Sequence, residues 1–283
     1  MSTIQNAVSE LLRVYVRPPH AGSLSNWQRY GWHAAPDPTR AAEEHAAFRE
    51  AVSSTGATVV SGETPVPGDP DAIYAYDPML PTDRGVIALR PGKPGRRDEP
   101  GAVLADLEGS GFDVLGSLTA PAIAEGGDMF WLDDITLLAG RSYRTNDAGI
   151  AQIRSLLGSD VDVCGFDLPH LQGPDSCLHL MSFISPLDLD LAVVYAPMVP
   201  VRLLELLRER GISLVSVPDD EFATQGPNVL ALGPRVALAL EGNPETRRRL
   251  EAAGVDVRTY VGDEISRKGD GGPTCLTRPL ARA

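Results

Sequence analysis

Cysteine is scarce in this chain: three residues in 283, Cys164, Cys177 and Cys275, with no CxxC spacing and an odd count. That argues against a disulfide framework and against a four-ligand zinc site. Basic residues are outnumbered, 25 against 38 acidic ones, and the net charge is −13. A chain of that sign repels phosphate backbones and anionic lipid surfaces, so neither a nucleic-acid partner nor a membrane surface is expected. No apolar run is long enough to read as a transmembrane helix. The first residues lack the basic start and long apolar centre of a signal peptide, so reduced thiols and a cytoplasmic location are expected. The 24 prolines and 28 glycines are dispersed between apolar runs, where they punctuate many short elements.

What is present is a repeat. Helical periodicity covers residues 38–55, 100–110, 147–157, 200–210 and 244–253, each stretch closing at a glycine and followed by a short β-branched strand. Those glycines, Gly56, Gly111, Gly158, Gly211 and Gly254, recur 43 to 55 residues apart, a degenerate period of the kind that marks repeat architectures. Between the helix–strand units lie paired apolar runs, 72–76 with 86–89, 129–132 with 135–139, 178–184 with 191–195 and 229–232 with 236–240. The fifth pair is incomplete, with only 274–280 remaining, and the N-terminal run 12–16 is the available partner. A ring closed by first and last strands removes the exposed edges of an open array. The expected fold is therefore α/β, one domain over residues 1–283. It is built as a propeller of five modules (approximately 12–60, 71–117, 125–166, 178–217 and 228–260, with 274–280 closing the ring). An open doubly wound sheet fits hairpin pairs between single helices poorly.

In a five-fold ring, equivalent positions converge on the axis. The residues that lead into the first strand of each pair are Asp71 and Asp77, Glu125 and Asp128, His179, Asn228, and Cys275. A cysteine, a histidine and several carboxylates at matched positions supply a nucleophile, a base and orienting acids. Asn228 reads as a turn residue. Cys164 and Cys177 read as inert thiols. His20, His33, His45 and His170 read as surface or loop residues, and Arg96-Arg97 and Arg247 to Arg249 as solvated faces.

Four motifs stand in order along the chain: Glu125-Gly-Gly-Asp128, Gly140-Arg-Ser-Tyr-Arg-Thr-Asn146, Leu178-His-Leu180 and Gly271-Gly-Pro-Thr-Cys-Leu-Thr277. Together they resemble the guanidine-modifying enzymes, or penteins: dimethylarginine dimethylaminohydrolases, arginine deiminases and amidinotransferases. The resemblance runs from about Val14 to Pro279 and implies a five-bladed α/β propeller, in agreement with the repeat. It implies Cys275 as nucleophile, His179 as acid and base, and Glu125 as the carboxylate that orients His179. It also implies a substrate-binding set of Asp71, Asp77, Tyr74 and Asp128, with Arg90 and Arg144 for a substrate α-carboxylate and residues 18–32 as a lid. The implied partner is a small guanidino amino acid, with no cofactor and no metal, and a homo-oligomer is left open.

The implied chemistry is thiolate attack on the guanidinium carbon, loss of an amine protonated by His179, and hydrolysis of an S-linked thiouronium. Two positions depart from the pattern. Met181 stands where deiminases and amidinotransferases carry an aspartate, which moves the expectation toward a dimethylargininase-like hydrolase. Tyr76 stands where that branch carries a glutamate. An amidinotransferase or arginine deiminase using the same centre is the alternative, and a guanidine-binding protein without turnover is the non-enzymatic one. A thiol peptidase and a translation initiation factor of the same fold class fit the acidic, carboxylate-rich pattern less well.

Overall fold

Fifteen strands fall into five separate three-stranded sheets in a computed structural model that describes residues 3–174 and 176–283. The first sheet has β1 (Leu11–Val16) at its centre, between β2 (Thr58–Ser61) and the last strand of the chain, Arg278–Arg282. The second holds β3 (Met79–Thr82), β4 (Gly85–Ala88) and β5 (Val114–Ser117). The third holds β6 (Met129–Asp133), β7 (Thr136–Arg141) and β8 (Asp162–Asp167). The fourth holds β9 (Ile184–Asp188), β10 (Leu191–Val194) and β11 (Ser213–Ser216), and the fifth β12 (Val229–Gly233), β13 (Val236–Leu240) and β14 (Asp256–Tyr260). The C-terminal strand Arg278–Arg282, β15, pairs antiparallel with β1 at Val14↔Pro279 and Tyr15↔Arg278, so chain start and chain end share a sheet.

Every sheet follows one rule: an antiparallel pair, then a helix, then a third strand parallel to the middle one. The crossover helices are Pro38–Ser53, Glu99–Leu107, Asp147–Leu157, Val201–Glu209 and Pro244–Ala252. Local chemistry starts them: the Asp37 carboxylate accepts from the Thr39 and Arg40 amides ahead of Pro38, and the Asn146 side chain accepts from Gly149. All five repeat glycines have φ between +71° and +94°, a turn conformation that costs glycine no Cβ clash. That demand is what the period of about 50 records. The strand after the helix is the least buried of each sheet. β3, β4, β10 and β12 are buried along their whole length, whereas β2, β5 and β11 are half-exposed.

Two expected strands lie elsewhere. Residues 72–76 are not a strand: Asp69 accepts from the Asp71 amide and Pro70 opens a 3₁₀ turn, Pro70–Ile73, with the strand following at β3. Likewise 178–184 holds a 3₁₀ turn, Leu180–Ser182, ahead of β9. Ile73, Tyr74, Leu178 and Leu180 pack into the core from irregular backbone, and their apolar character imitates strand periodicity. These turns before the first strand of each sheet carry the chemistry described next. Among the described residues no helix is long and apolar enough to cross a membrane.

Candidate active site

His179 occupies the N-terminal cap of the Leu180–Ser182 turn, its backbone amide donating to the Ser182 hydroxyl at 3.0 Å. Its Nε2 lies 2.8 Å from Glu125 Oε2 and its Nδ1 3.8 Å from Asp77 Oδ1. Glu125 is wholly buried and opens the Gly126–Asp128 turn. Arg144 Nη1 donates to both its oxygens at 3.0 and 3.1 Å, and the Lys93 amide donates to Oε1 at 3.2 Å. Gly127 permits this approach: a Cβ there would run into the His179 ring, and its amide instead donates to Asp77 Oδ1 at 2.8 Å.

Asp71 and Asp77 likewise meet cations. Arg96 donates to Asp77 Oδ2 at 2.6 Å and forks onto Glu99 at 2.6 and 2.9 Å. Lys93 Nζ donates to Asp71 Oδ2 at 2.6 Å, while Trp32 Nε1 donates to Asp71 Oδ1 at 2.7 Å. The same ammonium donates to the Tyr30 carbonyl at 2.6 Å and lies 4.7 Å from the Tyr30 ring centroid. The segment 18–32 is therefore fastened to Asp71 from above, through Trp32 directly and through Tyr30 by way of Lys93.

Cys275 is half-buried in the turn before β15. Asn228 Nδ2 donates to its Sγ at 3.3 Å while Asn228 Oδ1 accepts from the Thr274 amide, and the Tyr76 amide donates to the Cys275 carbonyl at 3.1 Å. Gly271 lets this turn pass against Tyr74, whose ring occupies the space a Cβ would need. Burial pushes the Cys275 thiol up to about 11, helped by the Asp77 charge and opposed by Asn228 and His179. Burial works against the charged form of His179, yet Cys177, Asp77 and Asp128 together hold its imidazolium well above the usual range. Burial also opposes ionisation of Glu125, but Arg144 and His179 keep its carboxyl below the normal carboxylate range. Both shifts favour the protonated forms, a thiol at Cys275 and an imidazolium at His179.

Asp77, Glu125 and His179 offer three ligand atoms within 4.8 Å of one another. Arg96 and Arg144 already neutralise the two carboxylates, so a divalent cation there would face two guanidiniums it would have to displace. The cluster fits proton transfer and cation exchange better than metal ligation.

The arginine deiminase family model matches residues 199–282. Arginine deiminase of Mycobacterium marinum is 32% identical over 197 residues, 59% of this chain and 48% of that protein. The chain spans about half the length of the curated relatives it matches first. Dimethylarginine dimethylaminohydrolase from Pseudomonas aeruginosa, solved as a cysteine-to-serine mutant with citrulline, superposes with a TM-score of 0.77. That match is at 22% identity over 95% of this chain and 98% of the other. The N-terminal domain of the cyanobacterial arginine dihydrolase ArgZ, bound to substrate, gives a TM-score of 0.82 at 20% identity over 95% and 98%. The chain thus shares the fold of these guanidine-modifying enzymes, and over part of its length its sequence is similar to arginine deiminases.

In this chain the turns bring Asp71, Asp77, Glu125 and His179 together, with Cys275 tied to the same segment through Tyr76. Other positions differ from expectation. Asp128 is wholly buried and its oxygens accept from Ser142 Oγ at 2.6 Å and the Leu180 amide at 3.1 Å, so it braces the His179 turn. Tyr74 is buried, with its hydroxyl on the Ile265 carbonyl and its ring 6.0 Å from Trp32. Arg90 donates to the Ala122 carbonyl, and Arg144 is engaged by Glu125.

Arg96 is 3% exposed, so the expected solvated face is a buried clamp on Asp77 and Glu99. His45 is buried inside the helix Pro38–Ser53, where burial pulls its pKa down to about 4. Cys177, read as inert, is exposed with Sγ 3.6 Å from His179 Nδ1. Asn228, read as a turn residue, touches the Cys275 sulfur. Its place at the position equivalent to the other site residues was the one available signal.

Proposed function

We propose that this protein is a pentein hydrolase that cleaves a guanidino C–N bond of a small amino acid in the manner of a dimethylargininase, its five sheets closing into a single propeller around Cys275, His179 and Glu125. The observation that carries this reading is the buried His179–Glu125 pair at 2.8 Å, flanked by Asp77 and a thiol aligned by Asn228.

A substrate guanidinium takes the place of the Lys93 ammonium at Asp71, and its charge favours the Cys275 thiolate over the thiol, the thiol proton leaving to solvent because His179 is already protonated. The thiolate attacks the guanidinium carbon and a C–S bond forms. The tetrahedral adduct collapses as His179 gives its proton to the departing nitrogen, and the C–N bond breaks. Neutral His179 then takes a proton from water as the C–O bond forms on the thiouronium carbon. Collapse breaks the C–S bond while the hydroxyl proton passes to solvent, where the released amine takes one up, leaving a ureido product and restoring the thiolate and imidazolium. Glu125 keeps the imidazole oriented and stabilises its charge through both proton transfers.

A second reading, arginine deiminase, is favoured by the family model and the curated relatives. Met181 weakens it, since the family resemblance places a guanidinium-binding aspartate there. The test is incubation with asymmetric dimethylarginine, monomethylarginine, arginine and agmatine, with Cys275→Ser as control. Citrulline plus dimethylamine, abolished in the variant, is the expected result. Turnover of arginine alone establishes the deiminase reading, and no turnover of any of the four contradicts both.

A further inference from the structure

A cavity of about 40 Å³ adjoins the site, its lining including Asn6, Tyr76, Met181, Thr274, Arg278 and Arg282. That volume is enough for a few waters or one small ion. Both arginines are among the most buried side chains of the protein, 3% and 2% exposed. Neither has a carboxylate partner among the described residues. Arg278 Nη1 donates to the Tyr76 carbonyl at 3.2 Å, with its guanidinium 4.1 Å from the Tyr76 ring centroid. Arg282 donates to the Ser9 and Ala231 carbonyls, and its buried Nε has no partner among the described residues.

A guanidinium carries five N–H donors, and a buried one is ordinarily matched by an acid. Here two share three protein acceptors. Ionised groups taken out of water without a counter-charge are strongly disfavoured. Burial accordingly pulls the pKa of both below the arginine range, Arg282 to about 10. Aromatic and apolar groups complete the lining, so nothing in the cavity itself supplies the missing negative charge.

We propose that this cavity is a binding site for one small monovalent anion, of halide or nitrate size, held between the guanidiniums of Arg278 and Arg282. The anion supplies their counter-charge and receives the N–H groups that no protein acceptor meets. It sits behind the nucleophile's turn: Thr274 lines the cavity, and the Tyr76 residue that Arg278 covers donates its amide to the Cys275 carbonyl. Gluconate is too large for the cavity, which separates occupancy from ionic strength.

The direct test is diffraction from crystals of the whole chain soaked in sodium bromide. An anomalous peak within hydrogen-bond distance of both guanidiniums is expected, and a cavity without one, holding water only, overturns the proposal. The second test is the thermal midpoint as chloride replaces gluconate at constant ionic strength. The wild type is expected to gain roughly 3 °C per tenfold chloride once the site is half-filled. Arg278→Met, which keeps the volume and removes the charge, is expected to show no such rise. Equal slopes in the two proteins contradict the site.

Discussion

Replacing Lys93 by methionine tests whether the resting site holds its own cation in the substrate's place. Lys93 Nζ is 2.6 Å from Asp71 Oδ2 and 2.6 Å from the Tyr30 carbonyl, with its side chain 22% exposed and that of Asp71 8%. Breaking a fully buried pair by removing one partner costs about 3–5 kcal/mol, because a charge is left unpaired. Here the lysine is partly solvated and Trp32 still donates to Asp71, so the expected cost is about 2 kcal/mol. That corresponds to a midpoint lower by roughly 5 °C for a chain of this size.

The unpaired Asp71 is then free to take a guanidinium without displacing an ammonium. Most of the lost free energy returns on substrate binding, which lowers KM about tenfold, since 1.4 kcal/mol is a factor of ten. The assay is steady-state ureido formation by wild type and Lys93→Met, beside melting curves with and without substrate. A KM that rises, or one that stays fixed while the midpoint falls, refutes the idea that Lys93 competes with substrate at Asp71.

Alkylation of Cys275 by iodoacetamide, followed by peptide mass in a Cys164→Ser, Cys177→Ser background, is expected to be slow at pH 7 in the free protein. It should climb about tenfold per pH unit toward 11, because the nucleophilic thiolate is the minor form below that value. A plateau near pH 8.5 contradicts a buried thiol. Asn228→Ala removes the side-chain donor on that sulfur, and the alkylation rate at pH 8 is expected to fall several-fold with the midpoint of melting nearly unchanged. Arg96→Lys keeps a positive charge but loses the fork that joins Asp77 to Glu99, and a midpoint lower by about 5–10 °C is expected. Asp128 has its carboxyl raised to about 6 by burial, so the folded state holds an extra proton between the unfolded value of 3.8 and 6. Stability from this group therefore rises as pH falls from about 6 to 4, and Asp128→Asn is expected to remove that part of the urea-unfolding pH profile.

The repeat was legible because the turn after each helix asks for glycine, and Gly56, Gly111, Gly158, Gly211 and Gly254 all adopt positive φ. Helix starts were legible where a side chain caps them, as at Asp37 and Asn146. The strand placed at 72–76 failed because Asp69 and Pro70 impose a turn while Ile73 and Tyr74 still pack inward, and apolar content alone does not separate buried loop from strand. Within the site, Glu125, His179 and Cys275 stood out by residue type at matched positions. Lys93, Arg96 and Cys177 did not. Their partners are fixed by chain reversals: Arg96 meets Asp77 19 residues away and Lys93 meets Asp71 22 residues away. A basic pair in a polar stretch looks the same whether it is solvated or folded under the next turn.

The central claim is that Cys275 carries the guanidino carbon between two proton transfers by His179. The most direct measurement is rapid acid quench of the wild-type protein mixed with asymmetric dimethylarginine or arginine, followed by intact and peptide mass. A transient adduct on the Cys275 peptide, forming before ureido product and absent in Cys275→Ser, is the expected result. Ureido product formed with no adduct at any quench time, or an adduct on Cys177 with Cys275 unmodified, contradicts it.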